Sequence, residues 1–144
     1  MDDFSRTLLP AAAESGLPVT TVSRHLPILR RHLADAGPVL VAARAVLGDR
    51  PWQGEVVVAT TEKQLLVTRE SRFLHRVGPH VAGAVPALVN VTWSADPRSA
   101  VMELAFTVKD HRHRFLIQAP DRHQVWRMDA MFGQIFLQPL QMAF

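Results

Sequence analysis

Between Gly54 and Thr68 two short apolar runs lie so close together that only a tight turn can join them. Val56, Val57, Val58, Thr60 and Thr61 are β-branched, and after the polar Glu62, Lys63 and Gln64 the chain returns to Leu65, Leu66, Val67 and Thr68. Branched side chains pack well on a pleated surface and lose freedom in a helix, so the pair predicts an antiparallel hairpin over 55–68. A second hairpin is predicted over 101–119, with its turn at 110–113. In its first strand Val101, Glu103, Ala105 and Thr107 point one way and Met102, Leu104, Phe106 and Val108 the other, the alternation of a half-buried strand.

Shorter strands are expected at 39–47, 73–77 and 88–93, with a loop carrying Gly78, Pro79, Gly83 and Pro86 between the last two. Residues 1–19, with Pro10, Gly16 and Pro18, read as a flexible leader holding one short helix between Asp3 and Ser15, with frayed ends unless it docks. A helix is expected over 20–37, because Leu26, Leu29 and Leu33 share one face, Thr20, Thr21 and Ser23 are suitable N-caps, and Gly37–Pro38 stops it. Pro27 is compatible with that helix only if it begins near Arg24. A final helix starts after Asp121, and Val125, Met128, Phe132, Ile135 and Phe136 form its apolar stripe with Trp126 at the margin. The last residues, 138–144, are an apolar tail.

Charge and composition exclude several function classes. The net charge is +3, and a pI near 10.5 reflects 14 Arg against only Lys63 and Lys109, since guanidinium stays protonated at high pH. An excess that small is thin for phosphate neutralisation along a duplex, so no nucleic-acid partner is expected. With no cysteine, a disulfide framework and thiol chemistry are impossible and a reducing cytoplasm is the expected location. The acidic Asp2 and Asp3 do not suit a signal peptide, and no apolar run is long enough to span a bilayer. Neither Gly-x-Ser-x-Gly nor a Gly-rich nucleotide loop is present, so no enzyme and no cofactor are expected.

Six or seven short strands in meander order followed by one amphipathic helix resemble the pleckstrin-homology-like fold. Gly54, Glu55, Val56, Val57, Val58, Ala59, Thr60, Thr61, Glu62, Lys63, Gln64, Leu65, Leu66 and Val67 are similar to the hairpin signature of its bacterial members. The resemblance covers 38–137, and the helix at 20–37 matches one that bacterial members often carry. It implies an α+β domain: a bent antiparallel sheet, or partly open barrel, closed by the C-terminal helix, with Trp126 plugging one open end. It implies a binding scaffold rather than chemistry. The loop holding Asp49, Arg50 and Trp52 lacks the basic patch of the lipid-binding eukaryotic members, so phosphoinositide recognition does not carry over.

The expected function is therefore a cytoplasmic, non-enzymatic interaction module for a protein partner or for a second copy of itself. Trp52, Leu140, Met142 and Phe144 are its candidate contacts, with the face of the 24–36 helix as a further surface, although a tryptophan beside proline more often caps a core. The alternative is a peripheral protein at the inner membrane face that binds anions through Arg69, Arg72, Arg112, Arg114, His111 and His113. Arginine forks suit phosphate and sulfate, and the imidazoles add charge as pH falls. His111 and His113 share a strand face and could approach one metal ion, with His75, His80 or His123 as further ligands if the fold brings them near, but a solvated hairpin tip is the ordinary reading and no metal is assigned.

Overall fold

The computed structural model describes residues 2–71, 73–96 and 98–141, with side chains as far as Leu137. Its elements are α1 (Asp3–Glu14), α2 (Val19–Leu33), β1 (Val41–Leu47), β2 (Glu55–Thr60), β3 (Gln64–Glu70), β4 (Val77–Ala84), β5 (Val89–Asp96), β6 (Val101–Val108), β7 (His111–Gln118) and α3 (Arg122–Gln141). The strands form one antiparallel sheet in the order β4-β3-β2-β1-β7-β6-β5. β1 joins its halves by pairing with β2 along Val41–Val46 and with β7 along Ala45–Leu47. A seven-stranded, unclosed antiparallel sheet with a C-terminal helix is the α+β, pleckstrin-homology-like architecture that the resemblance implies.

Two cores lie on opposite faces of this sheet. The inner one gathers Val56, Val58, Leu65, Val67, Leu104, Phe106, Phe115 and Ile117 under Val125, Met128, Phe132 and Ile135 of α3. The outer one covers Ala42, Val57, Ala59 and Leu66 with Phe4 and Leu8 of α1 and Leu29 and Leu33 of α2. Strands β2 and β3 are thus buried on both faces, which is why their apolar runs are unbroken, while β6 keeps its alternation.

The helix expected between Asp3 and Ser15 is α1, and it is docked on the sheet rather than part of a flexible leader. Asp2 caps α1 by accepting the Ser5 N–H at 2.9 Å and pairs with Arg30 of α2 at 2.9 Å. At the other end Gly16, with φ 72°, donates to Ala13 O and Leu17 to Ala12 O, the paired bonds of a left-handed helix stop. Burial of Leu8 completes the docking.

Other corrections concern proline and strand boundaries. Helix α2 begins at Val19 and carries Pro27 inside it, on the exposed side, with Pro18 rather than a threonine or serine at its N-cap. The stretch expected as a loop around Gly78, Pro79 and Gly83 is β4, and residues 73–76 are the loop. Proline is tolerated because β4 is an edge strand with a register shift opposite Val67 and Thr68. Lys109 and Asp110, at φ 51° and 66°, make a two-residue turn, so His111 and His113 lie within β7 and not in the turn. Trp126 is 53% exposed and plugs nothing. Trp93 of β5 takes that place, its ring against Phe132 and Phe136 and its indole N–H donating to Asp129 Oδ1 at 2.9 Å.

Candidate functional site

One end of the bent sheet is built from three connections: 48–54 between β1 and β2, 71–76 between β3 and β4, and the Lys109–Asp110 turn. Helix α3 serves the other end, where Gln134 reaches Glu62 in the β2–β3 turn. The first end therefore stays open as a mouth. A cleft of about 600 Å³ occupies it, walled by Asp49, Arg50, Arg69, His80, His113 and Phe115, and Arg112 and Arg114 also line it. A second depression of about 480 Å³ shares Arg69 and His80 and runs along the 71–76 loop past Phe73 and Arg76.

Strand parity explains which side chains point inward. Arg69 follows Leu65 and Val67, and His113 precedes Phe115 and Ile117, so both continue core-facing rows past the end of the core. Arg69 donates to Gln53 O at 3.2 Å. His113 lies parallel to Phe115 with ring centroids 6.2 Å apart, and His80 meets His113 edge-on at 6.1 Å. Burial, foremost, holds both imidazoles below the ordinary histidine pKa; for His80 the charges of His113 and Arg69 add to it, and for His113 that of His111.

Arg112 and Arg114 stand on the outer face. Arg112 donates to Asn90 O at 2.6 Å and reaches the hydroxyls of Thr107 and Thr92. Arg114 forks onto Glu103 at 2.9 and 3.3 Å, and this bond raises the Arg114 pKa. Arg114 is therefore largely neutralised. Among the described residues Arg69, Arg76 and Arg112 have no ion-pair partner.

The expected cluster thus forms in part, by a different route. β3 is not a neighbour of β7, since β2 and β1 intervene, and it is the bend of the sheet that carries Arg69 across to Arg112, Arg114, His111 and His113. Arg72, Met142 and Phe144 lie outside the described residues, as does the side chain of Leu140. Trp52 is 69% exposed on the 48–54 loop and does not cap the core. The stripe of α2 that carries Leu29 and Leu33 is spent on the molecule's own sheet.

Sequence reasoning named His80 only as a possible further metal ligand, and it missed Arg76 and the apolar loop tip. Phe73 is 93% and Leu74 68% exposed. The loop is closed at its base by Ser71 N–H to Arg76 O at 2.7 Å and His75 N–H to Ser71 O at 3.0 Å, so its tip projects. The available signal was an apolar pair enclosed by Arg69, Glu70, Ser71, His75 and Arg76, too polar a setting for the strand expected there.

Among the described residues no group of three or more potential ligands could hold a metal ion, and no helix is long and apolar enough to cross a membrane. No protein-family model and no curated protein matches the sequence. Among solved structures the chain is similar to one of the Vav1 exchange factor, concerned with the structural role of its PH and C1 domains. The identity is 12% and the TM-score 0.45, over 91% of this chain and 36% of that one.

Proposed function

We propose that this protein is a non-catalytic binding module that seats its open mouth on an anionic lipid surface. The observation that carries the reading is the 71–76 loop: two large apolar side chains, Phe73 and Leu74, stand in water directly beside Arg69 and Arg76. An apolar tip ringed by cations has the chemistry of an interfacial anchor, in which the rings enter the boundary of the acyl chains while the cations stay at the headgroups. Trp52 on the adjacent loop is amphipathic and suits the same depth. Each arginine near an anionic surface contributes about 1 kcal/mol. Arg50, Arg69, Arg76 and Arg112 line the cleft and the depression beside it, with Asp49 in opposition.

Co-sedimentation with phosphatidylcholine vesicles, with and without phosphatidylglycerol, tests the proposal. Binding is expected only with the anionic lipid, and it should weaken between about 0.05 M and about 0.5 M salt as the charges are screened. Arg69→Ala combined with Arg76→Ala should abolish most of it. Equal binding to neutral vesicles, or none to either, would refute the reading.

A further inference from the structure

We infer that His80 and His113 form a proton-coupled oxyanion subsite inside the mouth, which with Arg69 holds the phosphodiester or sulfate group of a ligand. The inference rests on the mouth being an anion-binding surface and adds how its affinity is regulated. The two rings come from separate strands, β4 and β7, and converge at 6.1 Å over the aromatic floor of Phe106 and Phe115. That floor offers no acceptor. Among the described residues no ring nitrogen of His80 or His113 makes a hydrogen bond, and none of these nitrogens is shut off from solvent. Two imidazoles with open donor positions, flanked by the Arg69 fork, leave space in the cleft for one tetrahedral oxyanion.

The surrounding charges set the proton balance. His80 faces His113 and Arg69, while His113 faces His111 of its own strand and Asp49 of the 48–54 loop. Arg50 belongs to that same loop, and Arg112 and Arg114 complete the wall from β7. Burial first, and then the neighbouring cationic groups with only Asp49 opposing, disfavour the charged form of both rings in the empty cleft. An oxyanion in the cleft that accepts from both rings reverses the balance, because it favours their charged forms. Binding therefore takes up protons, and affinity must rise as pH falls.

The probe is phosphatidylglycerol in vesicles, with soluble sulfate as a second arm. Neither group titrates near neutrality, so any pH dependence belongs to the protein. From about pH 7.5 to about pH 5.5 affinity is expected to rise about tenfold or more, since one bound proton changes affinity at most tenfold per pH unit. His80→Gln combined with His113→Gln should reduce the rise to about twofold, and His123→Gln, on α3 and away from the cleft, should leave it intact. Calorimetry of the wild type in two buffers of unlike ionisation enthalpy needs no variant and should show net proton uptake. Sulfate binding with that uptake means that the cleft takes a free oxyanion. Uptake with vesicles alone means that the headgroup must be presented by a bilayer, and both results support the subsite. Binding without pH dependence or proton uptake overturns the subsite and leaves the membrane reading standing. No binding at either pH overturns both.

Discussion

Replacing Phe73 and Leu74 together by serine removes the apolar half of the proposed anchor and touches no core. Fully burying a Phe or Leu side chain is worth about 1.5–3 kcal/mol. Taking the middle of that range and scaling by the 93% and 68% of their surface now in water, the two residues have about 2 and about 1.5 kcal/mol to gain. An interfacial anchor enters only the boundary region, so roughly half of that sum, about 1.8 kcal/mol, should reach the binding constant. The expected loss is about 20-fold in partitioning to vesicles containing phosphatidylglycerol, by the conversion of about 1.4 kcal/mol per factor of ten. Because both side chains are exposed, the melting temperature should stay within the change of about 0.5 kcal/mol typical of surface substitutions. Titration of vesicles into protein, followed by sedimentation, measures the first quantity and thermal denaturation the second. A variant that melts like the wild type and binds within about twofold of it refutes the idea that this loop enters lipid.

Two further expectations concern the fold. Phe132→Ala, at a fully buried position against Trp93, should cost about 3–5 kcal/mol by chemical denaturation, while Trp126→Ala, half in water, should cost about 1 kcal/mol or less; equal costs would mean that α3 is rotated. His25, on the buried side of α2 with its Nδ1 2.8 Å from Thr68 Oγ1, has its pKa lowered by burial first and by Arg24 second, with Glu70 opposing. Its folded value lies below its unfolded one, so between the two the unfolded chain binds more protons and stability must fall as pH drops below about 6.5. Urea denaturation of wild type and His25→Asn at several pH values should show that this part of the slope is missing in the variant.

What was legible in the sequence follows from how local each signal is. The alternation in β6 and the unbroken runs in β2 and β3 depend on which faces are covered, and their residues carry that directly. Asp121 was readable as a helix start for the same reason, and its carboxylate accepts the Gln124 N–H at 2.9 Å. β4 was not readable, because Gly78, Pro79 and Gly83 have turn preferences that are overridden only at an edge strand with a bulge, and edge position is a property of the whole sheet. Trp93 and Trp126 exchanged roles for a similar reason: the stripe of α3 shows which side is apolar but not which strand supplies the tryptophan that meets it. In the mouth the β7 arginines and histidines were visible as a run. Their meeting with Arg69 and His80 depends on the bend of the sheet across β2 and β1, which no spacing in the chain encodes.

The central claim is that the mouth faces the bilayer, and site-directed spin labelling tests it most directly. The chain has no cysteine, so Leu74→Cys at the mouth and Lys63→Cys in the β2–β3 turn at the opposite end each give a single attachment site. With phosphatidylglycerol vesicles, the nitroxide at position 74 should gain accessibility to oxygen and lose it to a water-soluble relaxant, while the nitroxide at position 63 stays as it is in solution. A bound protein whose position 74 remains in water, or whose position 63 enters the lipid instead, would contradict the account.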